Sequence, residues 1–133
     1  MQFNKSVDSW AVSSSLPAGS TLLSQVHAHG FDIALFGTFP TTYDRVVDSL
    51  HYTPEECKPA KNGRSIKCFD GTSTVTFSLR GSSGEAKISV KAVGRDIKIG
   101  GATHIKAFLW LKNGDNYLMY SPRCKNSRGK MDC

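Results

Sequence analysis

No apolar run in the 133-residue chain approaches the roughly 20 residues a membrane-spanning helix needs. The longest, residues 31–39, is broken by Asp32, Gly37 and Thr38. The first residues also lack the basic start and apolar stretch of a signal peptide. Two expectations stay open there: a mature secreted chain with an added Met1, or export by another route. No Cys-x-x-Cys pair occurs and the Cys–His spacing matches no common finger, so neither a metal nor a cofactor is expected. Also missing are the Gly-x-Ser-x-Gly elbow, the Walker loop, the dinucleotide fingerprint and His-Glu-x-x-His. Carboxylates are scarce in the second part. Residues 57–133 hold 15 Lys and Arg against 5 Asp and Glu, whereas residues 1–56 hold 2 against 6. The formal net charge of +6 is thus a basic part offset by an acidic one, and it points to an anionic partner.

Four cysteines are present. Their order suggests two local bridges: Cys57 with Cys68, and Cys124 with Cys133 across a basic tail of Arg123, Lys125, Arg128 and Lys130. Each closes a loop of about 10 residues, where chain entropy gives roughly 2–3 kcal/mol of stabilisation. The tail has almost no apolar content, so a clamp on the last residue makes physical sense. Bridges imply an oxidising compartment, hence a secreted or periplasmic protein. The sequon Asn4-Lys5-Ser6 is compatible with secretion.

The length fits one domain, 1–133. Residues 1–19 read as an N-terminal arm, extended around 9–12. A helical part follows at 20–56. Ser20 caps a helix with Leu22, Leu23 and Val26 on one face, stopped by Gly30. Residues 31–39 read as a buried strand or as deep core, which periodicity alone does not separate. Tyr43, Val46, Val47 and Leu50 stand at i, i+3, i+4 and i+7 and predict a second helix. Thr53-Pro54-Glu55-Glu56 starts a third, ended by Pro59. From residue 64 the period changes to two. Five strands are predicted, 65–70, 72–80, 85–95, 103–112 and 116–121, joined by hairpin signals as an antiparallel meander over 64–121. Residues 122–133 form the disulfide-closed tail. The expected fold is α+β: two or three short N-terminal helices packed on one face of a five-stranded antiparallel sheet.

Alternation assigns the faces. Val75, Phe77, Leu79, Ala86, Ile88, Val90, Ala92, Ile105, Ala107, Leu109 and Leu111 face the core. Outward lie Arg80, Glu85, Lys87, Lys91, His104, Lys106, Phe108, Trp110 and Lys112. Cations interleaved with aromatics suit single-stranded nucleic acid, because cations neutralise phosphates while rings stack on bases. The same surface also suits a sugar on Trp110 or an anionic lipid headgroup. Against this, Trp10 of the arm could cover Phe108 and Trp110.

The first functional reading is a small secreted basic protein of the toxin or effector kind. It binds an anionic or glycan partner (RNA, an acidic glycan or an anionic lipid surface) through Lys87, Lys91, Lys106, Phe108, Trp110 and Lys112 and the basic tail. The second is a metal-independent ribonuclease toxin, with His104 and Glu85 as acid or base and Arg80, Lys87 or Lys106 as phosphate clamp. Helices before an antiparallel sheet resembles, in layout alone, the barnase-like ribonuclease toxins. The third is an enzyme inhibitor that presents one of the disulfide-stapled loops to a target protein. His27 and His29 could share a metal on a strand, but they read as the end of a helix, where the dipole favours them. His51 has the same reading.

Overall fold

The side chains buried along successive segments show which segments are strands. A computed structural model describes residues 6–7, 9–16, 19–38, 44–81, 85–95, 97–98, 104–112, 116–119, 125–127 and 130–132. The N-terminal pieces are β1 (Ser6–Val7), β2 (Ser9–Leu16) and helix α1 (Gly19–His29). Two long strands follow, β3 (Phe31–Thr38) and β4 (Asp44–Tyr52), then a 3-10 turn at Pro54–Glu56. Next come β5 (Cys57–Pro59), β6 (Ser65–Phe69), β7 (Thr74–Arg80), β8 (Glu85–Ala92) and β9 (Ile97–Lys98). The last are β10 (His104–Leu111), β11 (Asn116–Met119), β12 (Lys125–Ser127) and β13 (Lys130–Asp132).

The strands form two main sheets, not one. The large sheet has the order β12-β13-β2-β8-β7-β6-β5, antiparallel throughout except that β13 runs parallel to β2. Its main part is the five strands β2, β8, β7, β6 and β5, with β13 and β12 added at the β2 side and β5 at the opposite edge. The small sheet has the order β11-β10-β3-β4, antiparallel throughout and built on β10, β3 and β4. A short ladder joins β1 to β9. One cluster of buried side chains joins the inward faces of both sheets with Leu22, Leu23 and Val26 of α1. Phe31 of β3 stacks on Tyr52 and meets Phe77 of β7 edge-on, both at 5.1 Å between ring centres, so aromatic packing ties the sheets together.

The α+β expectation is therefore corrected: among the described residues there is one α-helix, and the fold is mostly β. The helix predicted at residues 43–50 is strand β4 from Asp44 onward, and Tyr43 lies outside the described residues. Its apparent helical period comes from a β-bulge. Phe36 pairs with Val46 and Leu35 with Asp48, so Val47 is the extra residue and the alternation changes phase beyond it. The third predicted helix is only the 3-10 turn, opened by a bond from the Thr53 N–H to the Glu56 carboxylate at 2.9 Å. Helix α1 is the predicted first helix, and Gly30 ends it with φ +74° and an N–H bond to the Val26 carbonyl.

The meander is corrected as well. β8 lies between β7 and β2, while β10 crosses to the small sheet between β3 and β11. Arg95, just after β8, anchors this departure. Its guanidinium holds both oxygens of Asp48 on β4, at 2.6 and 2.9 Å, and donates to the Ser49 carbonyl at 3.0 Å. The Trp10 indole of β2 donates to the same carboxylate at 2.8 Å. Trp10 is therefore buried in the core and does not cover Phe108 and Trp110.

Candidate aromatic-polar face

Outward residues of the small sheet form a grid fixed by strand register. One row is Trp110, Asp32 and His51; the next is Phe108, Ala34 and Ser49; the next is Lys106, Phe36 and Val46. The same alternation buries Ile33, Leu35, Leu50, Ala107 and Leu109 underneath. Trp110 is 36 % exposed and Val46 50 %. The Phe108 and Trp110 rings lie within 13° of parallel at 6.1 Å between centres. Phe36 meets both edge-on, at 5.4 and 5.9 Å. The three rings form one aromatic cluster whose members are only partly covered.

A polar network adjoins them. Asp32 accepts from His51 Nδ1 at 2.7 Å and from Lys112 Nζ at 3.0 Å. Burial works to raise the Asp32 carboxyl, but the bonds and charges of His51 and Lys112 outweigh it and hold it below its ordinary range. With Nδ1 bonded to the carboxylate, the other ring nitrogen, Nε2, lies 3.4 Å from the Ser49 hydroxyl, and in the neutral imidazole it is the acceptor. Serine, histidine and aspartate in this order have the connectivity of a nucleophilic triad. The setting differs: the His51 side chain is 71 % exposed, and the Ser49 N–H is bonded to Asp48 Oδ1 at 2.8 Å. The face thus offers donors and acceptors to a ligand rather than an oxyanion hole.

The structure brings together Lys106, Phe108 and Trp110 on the outward side of β10 and Lys112 in the turn just after it. It does not bring Lys87 and Lys91 to them. Those residues point outward from β8, in the large sheet. The basic candidates are thus divided between the sheets: Lys106 and Lys112 stand with the aromatics, Lys87 and Lys91 do not. The ribonuclease set is likewise divided: Arg80 and Glu85 face each other in register between β7 and β8, whereas His104 opens β10 in the small sheet. Lys125 and Lys130 lie on β12 and β13, so this part of the tail is a strand pair zipped to β2. Arg123, Arg128, Cys124 and Cys133 lie outside the described residues, and the second expected bridge with them. The bridge between Cys57 and Cys68 is present, buried between directly paired positions of β5 and β6. His27 and His29 end α1 and are exposed, and no metal-binding cluster occurs among the described residues.

Sequence reasoning missed Asp32, Phe36, Ser49 and His51. Asp32, Ala34, Phe36 and Thr38 alternate with Ile33 and Leu35, a period-two signal hidden by Ala34 and Phe36 counting as apolar. Ser49 and His51 were hidden because the bulge gave β4 a helical spacing. No family model, curated protein or solved structure matches the chain. No helix among the described residues is long and apolar enough to cross a membrane.

Proposed function

We propose that the protein binds an uncharged glycan through the outward face of the small sheet. The observation that carries this is the adjacency of the Phe36/Phe108/Trp110 cluster to the hydrogen-bonded Asp32, Lys112, His51 and Ser49. Sugars present an apolar C–H face and a rim of hydroxyls. Rings cover the first, and paired donors and acceptors answer the second. Charge separates this reading from a polyanion. Lys112 is already matched by Asp32, and a carboxylate in the Trp110 row repels phosphate. The buried bridge between Cys57 and Cys68 supports an oxidising compartment, so the protein is read as secreted or periplasmic.

Screening immobilised neutral and acidic oligosaccharides tests the proposal. Neutral glycans should bind with little salt dependence, and Trp110→Ala should weaken binding at least tenfold. Retention of only acidic ligands, with a steep loss in salt, would contradict it.

A further inference from the structure

The outward face of the large sheet has a different chemistry. Lys87 of β8 lies between Ser15 of β2 and Ser78 of β7, and the next row places Ser89 between Ser13 and Thr76. Lys87 is half-buried and forms no ion pair or hydrogen bond with a described residue. Its cross-strand neighbours on both sides are serines, so no carboxylate among the described residues answers its charge. Ser13, Ser14, Ser15, Arg80 and Lys87 line an open concavity of ≈ 440 Å³ here. Of the two cations that line it, Arg80 faces Glu85 in register, whereas Lys87 has a serine on either side.

We propose that this concavity binds a phosphate or sulfate monoester group. Lys87 neutralises the charge, Arg80 adds a second cation, and the hydroxyls of Ser13 and Ser15 donate to the remaining oxygens. A tetrahedral oxyanion accepts from several directions, which suits a site of cations and hydroxyls. No aromatic ring among the described residues lines the concavity, so they offer the bases of a nucleic acid no stacking platform. The group arrives either on a lipid headgroup or on a soluble ligand. This proposal does not depend on the glycan reading, which concerns the other sheet.

The test is a titration of the whole protein with inorganic phosphate and with inorganic sulfate, read by amide chemical shifts. Saturable shifts should appear at residues 13–15 and 87. Lys87→Gln should weaken binding at least tenfold and Ser15→Ala several-fold, while Lys91→Gln and Trp110→Ala leave it unchanged. In a second arm, sedimentation with phosphatidylcholine vesicles containing phosphatidic acid, but not with phosphatidylcholine alone, assigns the lipid source. Phosphate binding without sedimentation assigns a soluble one. The proposal is overturned if no saturable shift appears at tens of millimolar phosphate, or if Lys91→Gln weakens binding as much as Lys87→Gln. The second result means diffuse charge attraction rather than a site.

Discussion

Asp48 joins three parts of the molecule through one carboxylate. It receives Trp10 from the large sheet, Arg95 from the segment leaving that sheet, and the Ser49 N–H of its own strand. β4 is an edge strand, and at Ser49 its N–H and C=O are taken by the side chains of Asp48 and Arg95. This protects a position where an edge would otherwise invite another strand. Asp48→Asn should therefore destabilise the protein by about 2–4 kcal/mol, because Arg95 keeps its charge in a half-buried place without a partner. Urea unfolding measures this. A loss under about 0.5 kcal/mol would mean the clamp acts like a surface ion pair. Tyr52 of β4 also bonds across, its hydroxyl donating at 2.9 Å to the carbonyl of Ser73, just before β7. Tyr52→Phe should cost about 0.5–1.5 kcal/mol in urea unfolding, the loss of one buried hydrogen bond at a carbonyl that keeps the longer one from the Asp70 N–H at 3.3 Å.

At the scale of elements, two features fix where strands begin and end. Gly30 closes α1 and turns the chain into β3. A Cβ there would clash with the Tyr52 carbonyl oxygen, in a backbone conformation with φ +74°. Gly30→Ala should cost about 2–4 kcal/mol through both strain and displacement of β4. Calorimetric unfolding measures it, and a near-neutral result would show that the helix end can move. The bridge between Cys57 and Cys68 staples β5 to the sheet across a separation of 11 residues. Replacing both cysteines with serine should lower stability by about 2–3 kcal/mol.

These elements also show what the sequence made legible. β6, β7, β8 and β10 were read nearly to their boundaries, because each alternates without a phase change between turn signals. The inward residues of those strands are buried with the exception of half-buried Leu79. β4 was misread because a bulge inserts one residue, and a phase-shifted strand mimics a helix over a single turn. Pairing between β8 and β10 was misread because hairpin logic assumes that neighbours in sequence are neighbours in space. The bond between Arg95 and Asp48, 47 residues apart, leaves no local signal. The face of β10 was legible as one strand's pattern. Its partners Asp32, Phe36, Ser49 and His51 came from strands whose register the sequence does not state.

At the scale of the whole molecule, two sheets enclose one core and expose unlike outer faces, aromatic and charge-matched on one side, hydroxyl-rich and cationic on the other. The pH dependence belongs to this scale because the titrating groups lie on both sheets. Tyr52 is raised well above its ordinary value of 10.0, first by burial and then by the charges of Asp70 and Glu56. The unfolded chain ionises before the folded one does, so this stabilisation is complete below about pH 10 and falls as pH rises beyond it. Asp32 and Asp70 move the other way. Burial raises each, but it is outweighed by bonds from His51 and Lys112 for Asp32, and from Ser73 and Thr72 for Asp70. Their contribution is present above about pH 4 and is lost as pH falls through their lowered folded values. Urea midpoints should therefore decline at both ends of the pH range, and Tyr52→Phe should flatten the alkaline decline alone.

The outward face of the small sheet is tested most directly by mapping amide shifts while a neutral oligosaccharide that binds is titrated in. Shifts should cluster at Asp32, Phe36, Ser49, His51, Phe108 and Trp110, and Trp110→Ala should abolish them. Shifts confined to the large sheet, or a response that survives Trp110→Ala unchanged, would contradict the account.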